Sequence, residues 1–125
     1  MSTRRMATPQ PISHLPPCPR RRMATRRDAI PAPSEKEWLA QVQDLARICG
    51  WELYHTWLSI RSARGWPDLA LVRPPRLILA ELKTDKGKIR PSQEHWLALL
   101  AQCPGVEVYV WRPSDLEQIA AVLQR

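Results

Sequence analysis

This chain has little of what would tie it to a membrane, a disulfide scaffold or a zinc centre. Its three cysteines, Cys18, Cys49 and Cys103, are odd in number and far apart, with no C-x-x-C spacing. That disfavours a disulfide framework and a structural zinc site and fits a reducing cytosol. His14, His55 and His95 are equally scattered. No run is long and apolar enough for a signal peptide or a membrane span. Acid is scarce at the N-terminus: residues 1–33 carry seven arginines against Asp28 alone and hold most of the formal net charge of +7. Residues 34–125, with 12 basic and 11 acidic side chains, are nearly neutral. The basic character therefore belongs to a tail and not to a folded surface.

That tail also holds seven of the 13 prolines and few large apolar residues. It cannot bury enough surface to offset its ordering entropy, so residues 1–33 are expected to be disordered, with one folded domain over 34–125. Arg-Arg-Met-Ala-Thr occurs at residues 4–8 and again at 21–25. Two readings stand side by side. One is low complexity or an over-extended reading frame, with translation starting at Met6 or Met23; the other is a non-specific arm that grips phosphates. The segment is too poor in serine, and too aperiodic, for an organelle-targeting peptide.

In the remainder, Ser34 with Glu37 three residues later forms the signature of a capping box. The stripe Leu39, Val42, Ala46 and Cys49, with Trp38 and Leu45 beside it, has helical spacing, and Gly50 is placed to end that helix. Residues 51–58 read as a first strand, 68–72 as a second and 76–83 as a third, with a turn at Pro74-Pro75 between the last two. A charged loop over 84–90 follows. Pro91 opens a helix whose apolar stripe is Trp96, Leu97 and Leu100, and Pro104-Gly105 stops it. Residues 106–111 form a short strand, and Ser114 with Glu117 predicts a second capping box on a last helix. The order α-β-β-β-α-β-α is too short for a doubly wound domain. It predicts a mixed α/β fold, a small central mixed sheet flanked by helices, with Trp38, Trp96 and Trp111 in the core.

The chemistry concentrates at two strand ends. Gly65-Trp66-Pro67-Asp68 opens one apolar run, and Glu81-Leu82-Lys83 closes the next. Side chains alternate along a strand, so Glu81 and Lys83 share a face while Leu82 points to the other. If the two runs pair, Asp68 meets Glu81 at one end of the sheet. Two hard oxygen ligands beside a lysine suit a divalent cation and a phosphodiester. The alternative, a plain surface ion pair between Glu81 and Lys83, contributes little to stability and nothing to chemistry. Gln93 falls on the apolar stripe of its helix, where it either reaches back toward Glu81 and Lys83 or satisfies free N–H groups at the helix start. One turn before Leu39 lies Glu35, either an acid aimed at the same site or a first-turn acid favoured by the helix dipole.

P-D followed by E-x-K is the signature of the PD-(D/E)XK nuclease superfamily. The additional pieces narrow the likeness: a Ser-Glu helix start, Gly50-Trp51 leading to Tyr54-His55, Gly65-Trp66-Pro67-Asp68-Leu69, Ala80-Glu81-Leu82-Lys83 and Gln93-x-x-Trp96. Together they resemble the VRR-NUC branch, in its small stand-alone bacterial and phage form, over residues 34–114. The resemblance implies a restriction-endonuclease-like core and a metal-dependent DNA nuclease, an endonuclease selective for structures such as junctions or flaps. It implies that Asp68, Glu81 and the Leu82 backbone carbonyl bind Mg²⁺ or Mn²⁺. Lys83 would orient or deprotonate the attacking water, Gln93 would match the helix glutamine, and Glu35, or in its place Glu37, would be the helix-one acid. Ser62 and His55 also fall at recurrent positions, His55 more in keeping with a structural role. Arg61, Ser62, Arg64, Lys86, Lys88 and Arg90 lie in loops flanking the site and would bind DNA. Related folds often act in pairs, which makes a homodimer compatible with this chain. The rival reading from another class is a non-catalytic DNA-binding or scaffold protein that keeps the nuclease fold.

Overall fold

The computed structural model describes residues 6–7, 31–57 and 61–125. The disorder expected over 1–33 falls largely outside these residues, as does the end of the first expected strand at Leu58. The elements are β1 (Met6–Ala7), α1 (Glu35–Ile48), β2 (Glu52–His55), β3 (Leu69–Arg73), β4 (Arg76–Leu82), α2 (Pro91–Ala101), β5 (Val106–Trp111), a 3₁₀ turn (Pro113–Asp115) and α3 (Leu116–Gln124). They build one five-stranded mixed sheet in the order β1-β5-β4-β3-β2. β2, β3 and β4 are antiparallel neighbours, whereas β4–β5 and β5–β1 are parallel. The two-residue β1 was not expected. It lies on the outer edge of β5, where unpaired N–H and C=O groups accept any extended segment.

α1 starts where its cap dictates. Ser34 Oγ accepts from the Glu37 N–H at 3.1 Å, and Glu37 Oε1 accepts from the Ser34 N–H at 2.9 Å. Gly50, at φ +87°, turns the chain out of the helix. Trp38, Val42 and Ala46 of α1, with Ile119 and Leu123 of α3, bury one sheet face against Leu69, Leu71, Ile78, Ala80, Tyr109 and Trp111. Two buried indoles fasten the layers: Trp38 donates to the Trp111 carbonyl at 3.1 Å and Trp51 to the Leu123 carbonyl at 2.9 Å. The first bond brings the N-terminal half of α1 to the end of the sheet where β5 finishes.

The other face is covered only in part. Leu97 of α2 packs on Val108 and Val110 of β5; among the described residues no helix covers the β2–β3 half, and Val72 is 40% exposed there. This asymmetry opens a cleft beside α2.

Three local expectations are corrected. Trp96 is not in the core; it is half-buried at the rim of that cleft, because α2 turns only Leu97 fully inward, and Trp51 is buried in its stead. Ser114 and Glu117 do not form a capping box. Asp115 Oδ2 accepts from the Arg112 N–H at 3.1 Å and Asp85 Oδ1 from the Ser114 N–H at 3.1 Å, so the chain enters α3 through a 3₁₀ turn held by those two aspartates. β2 begins after Trp51, whose side chain the core and Leu123 claim.

Candidate active site at the β3–β4 strand ends

The antiparallel register pairs Leu69 with Ala80, so the residues just beyond, Asp68 and Glu81, meet at one end of the sheet. Asp68 Oδ2 accepts from the Leu82 N–H at 2.8 Å. Within a strand the N–H and C=O of one residue point to the same edge, so the Leu82 carbonyl also lies on the Asp68 side. The Leu82 side chain packs into the opposite face with α1 and α3, as alternation requires. The Lys83 N–H continues the ladder to the Trp111 carbonyl at 3.0 Å, which fixes the backbone from which its side chain leaves.

Among the described residues Glu81 is the one buried acid or base, only 2% exposed. Its Oε2 accepts from Gln93 Nε2 at 2.8 Å and lies 3.5 Å from Lys83 Nζ. Its Oε1 is buried with no hydrogen-bond partner, a condition that a proton or a cation relieves. Burial, and then the neighbouring Asp68 charge, push the Glu81 carboxyl up to about 8, against the pull of Lys83. Asp68 is also raised, by burial above all, with the Leu82 N–H and Lys83 opposing. Two carboxyls that both resist ionisation, one holding an unsatisfied oxygen, are a site lacking positive charge. The donor set is hard oxygen, as Mg²⁺ and Mn²⁺ require. Among the described residues no three Asp, Glu, His or Cys side chains cluster as a metal cage.

This makes the metal-free fold pH-sensitive in a defined direction. An acid with a raised folded-state value stabilises the fold below its unfolded value, 4.5 here, and that stability is lost as pH rises through about 8. The expected outcome is that metal-free protein melts several degrees lower at pH 8.5 than at pH 5. Glu81→Gln, which keeps the shape and the Gln93 contact, flattens that slope. A thermal-melt series in EDTA checks it; equal slopes for both proteins contradict the buried-charge assignment.

Gln93 makes a contact at each end of its amide. Its Oε1 accepts from the Arg90 N–H at 2.8 Å, closing the start of α2, while its Nε2 reaches Glu81. Asp68 and Gln93 line the cleft, about 1110 Å³ in volume, and Ser62, Arg64 and Arg90 line it too; Glu81 is buried behind Gln93. Arg61, Lys86 and Lys88 are exposed and are not among the lining residues. Glu35 is exposed in the first turn of α1 and Glu37 is engaged by its cap; the structure brings neither into contact with the two carboxyls. His55 lies near enough to Asp68 to lower its value and packs edge-on against Trp57 at 4.6 Å.

Two residues have a positioning role that the sequence did not assign to them. Gly65, at φ +97°, passes so close to the start of α2 that an added Cβ would stand 2.3 Å from the Ser92 carbonyl oxygen. Trp66 then packs edge-on against Trp96 at 5.1 Å, and Pro67 is buried. Gly-Trp-Pro thus clamps the loop to α2 and delivers Asp68. Gly65→Ala is expected to cost about 2 kcal/mol or more, from the left-handed backbone and an unavoidable main-chain clash, roughly 10 °C in Tm. Thermal melting checks this, and an unshifted Tm contradicts the close approach. Arg112 is the second. Its Nη1 donates to the Thr84 and Gly87 carbonyls, each at 2.7 Å, tying down the loop that leaves Lys83. Its partners are too distant in sequence for any local pattern to reveal them.

No helix among the described residues is long and apolar enough to cross a membrane. No curated protein and no solved structure gives a match to the chain. A comparison with protein families matches residues 20–115 to the VRR-NUC domain, starting upstream of Ser34 and covering the whole constellation of Asp68, Glu81, Lys83 and Gln93. The chain belongs to the VRR-NUC family, and with it to proteins of nuclease-type, DNA-processing function.

Proposed function

We propose that this protein is a divalent-metal-dependent DNA nuclease whose centre is Asp68, Glu81 and Lys83. The observation that carries the reading is the buried Glu81 carboxyl next to Asp68, with one oxygen held by Gln93 and Lys83 and the other without a donor to accept from. A structural ion pair has no use for that orphan oxygen. Asp68, Glu81 and the Leu82 carbonyl are the groups that would hold Mg²⁺ or Mn²⁺. When bound, the ion supplies Lewis acidity at a phosphodiester and cancels the repulsion between the two acids.

The chain's own groups supply the rest. Gln93 holds the Glu81 carboxylate in one orientation. Arg64, Arg90 and Ser62 bind phosphate oxygens along the cleft and set the register of the strand. Lys83 Nζ orients the water that attacks phosphorus and offsets the negative charge that grows as one P–O ester bond breaks. The leaving oxygen takes up a proton. One such centre hydrolyses one strand, so cutting through a duplex takes two chains or two successive events. This activity belongs in a reducing cytosol, in keeping with the free Cys49 and Cys103.

A panel of labelled duplex, nicked, flapped, junction and single-stranded DNA, incubated with Mg²⁺, Mn²⁺ or EDTA, tests the reading. Cleavage in either metal and none in EDTA is the expected result. Equal cleavage in EDTA, or none on any DNA, contradicts it.

A further inference from the structure

Around the cleft, three large aromatic side chains stand open to water. Tyr54 is 66% exposed, Trp57 75% and Trp66 40%, and all three line the cleft with Arg64, Asp68 and Arg90. Trp66 has a structural reason to be there, since it packs on Trp96. The other two do not. Tyr54 stands on β2 opposite the small Ala70, on the half of the sheet that α2 leaves bare. Trp57 touches one ring, that of His55.

A single exposed aromatic is ordinary. Two beside the half-buried Asp68, with the buried Glu81 next to it and arginines on the same cleft, are a different matter. Flat apolar faces interleaved with cations are the composition of a groove that holds the sugar–phosphate backbone by charge and the bases by stacking. The arginines complement phosphate, which selects a nucleic acid over an apolar peptide. Bases inside a duplex already have both faces covered by their neighbours, so away from duplex ends an unpaired base is what such a platform holds.

We propose that Tyr54 and Trp57 form a stacking platform for unpaired bases adjoining the phosphodiester at Asp68, so that DNA with a single-stranded arm is the preferred substrate. This rests on the nuclease reading above.

Binding in Ca²⁺, followed by fluorescence anisotropy, tests the platform without requiring cleavage. The probes are a blunt duplex and the same duplex with a single-stranded arm. The wild-type protein is expected to bind the armed DNA at least about tenfold tighter. Tyr54→Ala and Trp57→Ala each weaken armed-DNA binding by about 5- to 100-fold, the range seen when a stacking ring is removed, and leave the blunt duplex within about twofold. Tyr54→Phe and Trp57→Phe retain most of the preference. Equal loss on both DNAs, or no loss on either, overturns the proposal. So does a dimer that falls to monomer in sedimentation on Trp57→Ala with selectivity intact, which makes the patch an interface between copies. Tighter binding of an RNA arm than of a DNA arm overturns the DNA assignment. A protein that shows the armed-DNA preference yet cuts nothing in Mg²⁺ loses the nuclease reading alone; one that cuts every DNA without preference loses the platform alone.

Discussion

Lys83→Ala is expected to slow single-turnover cleavage by roughly two to four orders of magnitude, the range for a positioned proton-transfer or charge-stabilising group. Mn²⁺ and DNA affinities are expected to stay within a few fold, because an ammonium is not a ligand to a cation. The argument is geometric. Lys83 leaves a backbone fixed by its bond to the Trp111 carbonyl, and its Nζ lies 3.5 Å from the Glu81 oxygen that Gln93 already holds. A side chain only 16% exposed is too constrained to be a wandering surface cation. Lys83→Arg keeps the charge but not its position and is expected to recover only part of the rate. Saturating enzyme isolates the chemical step from binding. An unchanged single-turnover rate reduces Lys83 to an ion-pair partner, a role that contributes about 0–1 kcal/mol to stability when exposed and nothing to rate.

Asp68→Ala and Glu81→Ala are expected to abolish cleavage outright. Each removes a charged oxygen ligand, and neither removes an apolar core contact. Asp68→Ala also leaves the Leu82 N–H without its acceptor, a loss of about 1 kcal/mol. That loss is opposed by relief of the repulsion that raises Glu81. The fold therefore survives, and circular dichroism with thermal melting separates a dead site from an unfolded one. Undiminished cleavage by either variant contradicts the assignment.

The fold was legible wherever local rules and tertiary contacts agree. Ser34 and Glu37 announce α1, Pro91 announces α2, and the apolar runs around Leu71 and Leu79 announce the two strands that carry the acids. Alternation alone put Glu81 and Lys83 on one face and Leu82 on the other, and the nuclease family was legible in the ordered set of short motifs, which matches over most of the chain. What stayed hidden depends on partners far away in sequence. Trp96 fits a helical stripe but belongs to the cleft because Trp66 meets it there. Gly65 stands in a motif, but its need for glycine comes from the start of α2, which an added Cβ would strike. Arg112 carries no local signal, yet it holds the loop after Lys83. The flanking basic residues divided for a similar reason: Arg64 and Arg90 come to the cleft because their loops are clamped at α2, while Lys86 and Lys88 lie on the loop that Arg112 pulls toward β5.

The central claim is that Asp68 and Glu81 share a divalent cation, and titration calorimetry with Mn²⁺ on the DNA-free protein at pH 8 tests it most directly. The account predicts saturable binding to the wild-type protein, retained within a few fold in Lys83→Ala and lost in both Asp68→Ala and Glu81→Gln. Mn²⁺ binding that survives both carboxyl substitutions in well-folded protein would contradict it.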